Sequence, residues 1–149
     1  MILTKNFYLE EFTRSQTATR RKRQIIPTQD DVCELRLLCE TILQPIRSQR
    51  GEAIKISSGL RPSWLNEAIG GARNSAHITG RAADFRELNS EVVNTFNWIR
   101  KSNIEFDKVI LEYGKWIHIQ RPKKGKEARR LAYVSEVENG ILTYKRVTQ

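Results

Sequence analysis

The sequence predicts a small α+β domain in which helices flank a mainly antiparallel sheet. Its 149 residues suffice for one hydrophobic core. One amphipathic helix in the first third is followed by short segments of alternating apolar and polar residues, and turn residues join two pairs of these segments. No internal repeat or linker interrupts the chain, so we expect residues 1–149 to form a single domain.

The first third of the chain predicts one long helix behind a basic segment. Residues 7–12 form a short apolar and acidic element, and residues 14–23 are polar and basic, which indicates a loop or flexible arm. Thr28 is a suitable helix N-cap, Pro45 should bend the helix or mark its last turns, and Gly51 should end the segment. Apolar residues with a helical period define its buried face: Val32, Leu35, Leu38, Cys39, Ile42, Leu43 and Ile46.

Short strands and a short helix follow in the middle of the chain. Residues 53–57 alternate between apolar and polar side chains, as a half-buried strand does. Residues 58–62 read as a turn, and residues 63–69 as a short helix that the next two glycines end. Residues 82–85 form a further brief strand.

The C-terminal part predicts one more helix and two β-hairpins. Asn89 or Ser90 caps the helix. Residues 106–120 have the pattern of a hairpin, residues 122–130 form a basic loop, and residues 131–144 form the final hairpin. The sheet built from these strands should be mainly antiparallel, because hairpins join neighbouring strands in opposite directions.

Composition excludes several classes of protein. With 39% hydrophobic and 29% charged residues, the chain is neither disordered nor a membrane protein, and no apolar run approaches the roughly 20 residues of a membrane span. The N-terminus lacks the pattern of a signal peptide, so we expect synthesis in the cytoplasm. Cys33 and Cys39 fall on different faces of one helix, which indicates ordinary thiols and no mutual disulfide.

The net charge of +9 predicts attraction to polyanions. Nucleic acid and a phosphate-rich cell envelope are both possible partners, and a merely solubilising surface is the simpler interpretation. The basic runs at residues 20–23 and 123–126 fit a solvated face. Charge alone does not separate these alternatives.

The chain's two histidines indicate a metal site. His77 lies in a loop of small residues, Asp84 falls in the strand just after it, and His118 falls in the second strand of the first hairpin. Two imidazoles and one carboxylate give zinc three protein ligands and leave a position for water. A lone histidine is more often structural, so the spacing by itself is a weak signal.

Hydrolysis at such a site also needs an acid or base beside the water. Glu112 is the first choice: if the hairpin turn takes three residues, Glu112 pairs with Trp116 and shares the face of His118. Gly114 suits the left-handed position of a three-residue loop, whereas a two-residue turn would place Glu112 on the opposite face. Asp107 is the fallback.

One arginine is a further candidate. Arg61 precedes a proline that stiffens the turn, and a fixed guanidinium can bind a carboxylate or steady an oxyanion. For a lone arginine in a turn, however, a surface position is the simpler interpretation. The three tryptophans, Trp64, Trp98 and Trp116, fit the core or a cleft wall better than a sugar-stacking platform.

Taken in order, these motifs resemble the zinc-dependent D-Ala-D-Ala carboxypeptidase family of peptidoglycan peptidases. That family includes phage endolysins and shares its fold with the hedgehog signalling domain. The similarity covers most of the chain, and the ordered set is more specific than any one motif. It is carried by residues 57–62, 65–66, 70–77, 80–84, 106–107 and 116–118, together with residues 7–15 and 35–47.

The resemblance implies an antiparallel α+β fold and a zinc ion held by His77, Asp84 and His118. It also implies Glu112 as catalytic acid/base and Arg61 as a catalytic and substrate contact. Several members carry the acid three residues before the last histidine. That position is Lys115 here, so the acid must come from Glu112. Leu60 stands where the family often has an aromatic residue, and we expect only a local change there.

The expected function is therefore hydrolysis of amide bonds in peptidoglycan peptide stems by a zinc peptidase. Ser75 and Trp116 are assigned to substrate binding. We expect a monomer, attracted to anionic wall polymers, that serves phage lysis and reaches the wall or periplasm after release or on a virion. Two alternatives remain: a catalytically silent wall-binding module, and a basic nucleic-acid-binding protein, although no recognised nucleic-acid motif accompanies the arginines.

Overall fold

A mixed sheet organises the molecule, whose computed structural model describes residues 1–148. Within those residues the strands are β1 Ile2–Thr4, β2 Phe7–Tyr8, β3 Ile54–Ser58, β4 Ala82–Glu87, β5 Lys108–Glu112, β6 Trp116–Gln120, β7 Leu131–Glu138 and β8 Ile141–Arg146. The main sheet has the order β3-β4-β6-β5-β7-β8, and β1 and β2 pair separately. All neighbours are antiparallel except β5 and β7, which are parallel. The predicted α+β class with a mainly antiparallel sheet is confirmed.

Helices pack against this sheet. They are α1 Leu9–Phe12, α2 Gln16–Arg20, α3 Gln29–Leu38, α4 Gln44–Arg50, α5 Ser63–Ala68 and α6 Val92–Lys101. As predicted, Thr28 caps α3: its hydroxyl accepts a hydrogen bond from the Asp31 N–H at 3.1 Å. The Asp31 carboxylate in turn accepts one from the Thr28 N–H at 2.9 Å. Across residues 1–148, no helix has both the length and the apolar character that a membrane crossing requires.

Pro45 neither ends nor sharply interrupts the long helix. A π-turn at Cys39–Leu43 joins α3 to α4, and the Gln44 N–H donates to the Cys39 carbonyl five residues back. Proline has no N–H, so one helical hydrogen bond is missing at Pro45. The wider π-turn just before it accommodates this loss without ending the helix. The helix then continues to Gly51, which ends it with φ +67° as predicted.

Two local predictions are wrong. Residues 14–23 are not a loop throughout, because α2 forms within them: the Ser15 hydroxyl accepts from the Ala18 N–H at 3.2 Å, and Ala18 is buried. Neither Asn89 nor Ser90 caps α6, which begins after Glu91. The Ser90 hydroxyl donates instead to Glu52. Each helix is preceded by a residue type that favours the N-cap. Ser15 bonds the first turn of α2, whereas Ser90 bonds Glu52 and not α6.

The two faces of the main sheet differ in chemistry. One face is apolar and forms the core with the helices, through Phe85, Val109, Leu111, Ile117 and Ile119. Because side chains alternate along a strand, the residues between these point to the other face. That second face carries the polar residues from which the site is built.

Candidate active site

His77 lies in a 3₁₀ turn, Ala76–Thr79, between small residues. Ser75 caps this turn, since its hydroxyl accepts a hydrogen bond from the His77 N–H at 3.2 Å. Gly80 ends it with φ +78°, and a Cβ there would stand 3.1 Å from the Asp31 carbonyl oxygen. The turn therefore packs tightly against α3, and His77 is only 1% exposed.

The sheet register brings the other two predicted ligands to the same place. Asp84 on β4 pairs directly with His118 on β6. The His118 Nδ1 atom lies 3.0 Å from Asp84 Oδ1, and the His77 Nε2 atom lies 3.2 Å from the same oxygen. One ligand atom from each residue falls within 4.8 Å of the others. Three side chains that are separate in the sequence therefore meet at one point.

A backbone carbonyl fixes the ring of His77. The outer nitrogen, Nδ1, lies 2.7 Å from the Gly59 carbonyl oxygen. That carbonyl cannot shift, because Gly59 packs so closely on Phe12 that a Cβ would lie 2.6 Å from the Phe12 Cα. A carbonyl oxygen only accepts, so Nδ1 carries a proton, and in the neutral ring Nε2 presents a lone pair toward Asp84.

An amide fixes the ring of His118 in the same way. The Gln120 side chain donates from Nε2 to Asp107 Oδ2 at 3.1 Å, which turns its Oε1 toward His118. The His118 Nε2 atom lies 2.9 Å from that oxygen and carries the proton. With the proton on Nε2, Nδ1 is the nitrogen that can bind a cation beside Asp84. Outer hydrogen bonds of this kind orient histidine ligands in metal sites.

The ionisation of His77 and Asp84 favours binding of a cation between them and His118. Burial lowers the pKa of His77, which favours its neutral imidazole. Burial alone would raise the pKa of Asp84, but the two histidines outweigh it and hold that pKa below its usual value. When a cation replaces the protons shared between these groups, two imidazole nitrogens and one carboxylate oxygen face the same point. Since this donor set and number are those of an open zinc site, the residues present fit that ion.

The three side chains open onto a cleft of about 860 Å³. Arg61 lines it, and its backbone N–H donates to the His77 carbonyl at 2.9 Å. The guanidinium is partly buried, which lowers its pKa. Its Nη2 lies 3.4 Å from the Ser75 hydroxyl, and its buried Nε has no hydrogen-bond partner within residues 1–148. Arg61 is therefore no ordinary surface arginine, but a partly buried cation whose Nε lacks an acceptor among the described residues.

Glu112 lines the same cleft. The hairpin turn takes three residues, so Glu112 pairs with Trp116 and lies on the face of His118. Tyr113 and Gly114 adopt the left-handed backbone at φ +54° and +66°, which makes this turn possible. One carboxylate oxygen, Oε2, accepts a hydrogen bond from the Ser135 hydroxyl at 2.6 Å.

The fallback acid, Asp107, does not line the cleft. Asp107 is buried, and both of its oxygens accept from Arg129 at 2.8 Å while Oδ2 also accepts from Gln120. Those bonds lower the pKa of Asp107, with the Arg129 contact contributing most. A carboxylate held this way supports His118 through Gln120, and both of its oxygens are already hydrogen-bonded.

The predicted substrate contacts lie on the cleft walls. Ser75 stands beside Arg61, and Trp116 lies on the sheet side with its ring 5.4 Å from that of Tyr113. The other tryptophans are elsewhere: an arginine stacks on each, Arg23 over Trp64 at 4.1 Å and Arg50 over Trp98 at 5.5 Å. Lys115 is exposed and does not line the cleft.

Several cleft residues were not predicted. Gln120 could have been found, because it follows His118 by two residues on one strand and so shares its face. Tyr133 and Tyr144 reach the cleft from β7 and β8, and the Ser135 hydroxyl on β7 donates to Glu112. No local pattern signals them, because they depend on which strand β7 joins.

The fold and this site together define the metallopeptidase class. Residues 5–120 match the family described as Peptidase M15, and the protein belongs to that family. No curated protein gives a significant match to the chain. The matched residues include every predicted metal ligand as well as Arg61 and Glu112, and they end before β7 begins. The match supports a peptidase of the peptidoglycan-hydrolase type.

Proposed function

We propose that the protein is a zinc-dependent peptidase that hydrolyses amide bonds in the peptide stems of peptidoglycan, as a D-Ala-D-Ala carboxypeptidase or an endopeptidase. One observation carries the proposal: two imidazole lone pairs and a carboxylate converge within 4.8 Å on the wall of a cleft that also holds Glu112 and Arg61. Such a cleft contains the ligand set, the base and the cation that amide hydrolysis requires.

His77 Nε2, Asp84 and His118 Nδ1 would hold the ion. Zinc, when bound by such a set, lowers the pKa of water and polarises a carbonyl group. Glu112 accepts a proton from the attacking water and passes it to the nitrogen of the leaving amine as the C–N bond breaks. Arg61 binds either a substrate carboxylate or the oxyanion that develops on the former carbonyl oxygen.

Cations outside the cleft favour approach to anionic wall polymers. Arg20, Lys22 and Arg23 are exposed beside a surface hollow of about 970 Å³. Lys123 and Lys124 extend the positive surface on the loop after β6. Attraction of this kind is long-ranged and screened by salt. A small basic peptidase of this type also fits a role in phage lysis, in which another protein opens the membrane.

The test is digestion of purified peptidoglycan by zinc-loaded protein, followed by mass spectrometry of the fragments. Loss of terminal D-Ala identifies a carboxypeptidase, and cleavage within the stem identifies an endopeptidase. Glu112→Gln should lower kcat by about 10²- to 10⁴-fold while the zinc content stays the same. The matched control is Glu136→Gln, a carboxylate on β7 that does not line the cleft.

Two results would overturn the proposal. In the first, zinc-loaded protein releases no fragment but still sediments with peptidoglycan in a salt-sensitive way, as a silent wall-binding module would. Alternatively, Glu112→Gln could retain full turnover, in which case the proton must move through another group.

A further inference from the structure

The C-terminal hairpin, β7 and β8, lies beyond the residues that match the family, yet it forms part of the cleft. It is tied to the site by strand pairing. β7 runs parallel to β5, and the register sets Ser135 beside Glu112. Tyr133 and Tyr144 reach the cleft from the same hairpin. This hairpin therefore adds side chains to a site whose metal ligands come from earlier elements.

The hydroxyl of Ser135 has a defined direction. Ser135 is 1% exposed. Its Oγ accepts a hydrogen bond from the Tyr113 N–H at 3.2 Å, and lies 2.6 Å from Glu112 Oε2. A hydroxyl has one proton, and an ionised carboxylate only accepts. Since the Tyr113 amide supplies its own proton, the Ser135 proton is given to Glu112.

The bond singles out one oxygen of Glu112. Within residues 1–148, Oε1 of Glu112 has no hydrogen-bond partner, whereas Oε2 is occupied by Ser135. Glu112 is only partly buried and lies directly before a tight turn. Without the serine, its flexible side chain would sample several rotamers, and only some of them direct a carboxylate oxygen into the cleft.

We propose that Ser135 is a positioning residue for Glu112: its hydroxyl holds Oε2 so that Oε1 stays available for proton transfer. The inference rests on the proposed function, because it assigns Ser135 a role through Glu112 in that same reaction. It adds that the catalytic geometry is completed by a strand that the family match does not include.

The experiment compares Ser135→Ala with the wild type. We expect kcat to fall about 10-fold, because a charge-assisted hydrogen bond that orients the base is lost. KM, zinc content and the midpoint of thermal unfolding should stay close to wild-type values. Ser135→Thr, which keeps the hydroxyl, should restore most of the lost kcat. Thr143→Ala is the matched control, since it removes a hydroxyl from β8 that bonds only the Glu136 carbonyl.

A double variant separates positioning from a general effect on the sheet. In the Glu112→Gln background, Ser135→Ala should lower kcat no further, because the group through which it acts is already gone. An equal further loss in that background, or an unchanged kcat in Ser135→Ala alone, would overturn the inference. Full turnover by Glu112→Gln alone would count against the proposed function itself.

Discussion

Two carboxylates three residues apart on β4 have opposite surroundings. Glu87 is buried on the closed face, where Arg50 donates to it from Nε at 3.0 Å and from Nη2 at 2.8 Å. Thr95 donates to it as well. Asp84 lies on the open face, and within residues 1–148 no lysine or arginine comes within 4.0 Å of it. Its near neighbours are the inner nitrogens of His77 and His118.

The difference separates a structural carboxylate from a binding one. Around Glu87, donors and acceptors match, so the protein itself balances the buried charge. Around Asp84, the neighbours are two imidazole nitrogens whose outer partners hold a proton on the far side of each ring, so both inner nitrogens can bind a cation. The first arrangement is complete without a ligand, and the second becomes complete only with a cation.

The largest expected effect comes from Asp84→Asn. Zinc affinity should fall by about 100-fold or more, with activity falling in parallel, because the only anionic ligand is lost. The metal-free variant should lose less stability than Glu87→Gln does, since an amide N–H can still donate to an imidazole nitrogen. Zinc titration and urea unfolding after chelation measure the two quantities. Marked destabilisation of the metal-free form would mean that Asp84 is structural, as Glu87 is.

Glu87→Gln should have the reverse profile. The free energy of unfolding should fall by about 3 kcal/mol, because Arg50 keeps its charge in a mostly buried position without a counter-ion. Zinc affinity and the kcat of the remaining folded protein should match the wild type. Urea unfolding and zinc titration of the same preparation provide the check. If zinc affinity dropped with stability, the two ends of β4 would not be independent.

A smaller, pH-dependent effect is expected at Asp107. Its pKa is lowered in the folded state, so the stability it contributes is present above its unfolded pKa of about 3.9 and is lost as the pH falls through the folded value. Asp107→Asn should therefore lower the free energy of unfolding by about 2 kcal/mol at pH 7. The gap to the wild type should narrow below about pH 4. Urea unfolding across this range tests it, and a gap independent of pH would contradict the assignment.

The positions of the candidate metal ligands and of the candidate base could be predicted because they depend on local rules. Strand alternation places His118 on the opposite face from Ile117 and Ile119. Gly114 favours the three-residue turn that brings Glu112 to the face of His118. Because the chain contains only two histidines, few sets of metal ligands were possible. These signals need only a few neighbouring residues to be read.

What could not be predicted depends on contacts distant in the chain. The two polar groups behind His118 are Gln120 on β6 and Asp107 just before β5. Asp107 orients Gln120, and Arg129 holds the Asp107 carboxylate from a loop. Ser135 reaches Glu112 because β7 adds to the sheet parallel to β5, which requires the chain to travel around first. A sequence that contains two hairpins does not reveal how the second hairpin joins the first.

Phe12 has an influence far from its own position. It ends α1 and supports Gly59, both through the close contact of their backbones and because its carbonyl accepts from the Leu60 N–H at 2.8 Å. The oxygen that steers the imidazole of His77 is thereby anchored to the opening residues of the chain. A truncated protein that began after α1 would keep every ligand in its sequence, but the support beneath one of them would be gone.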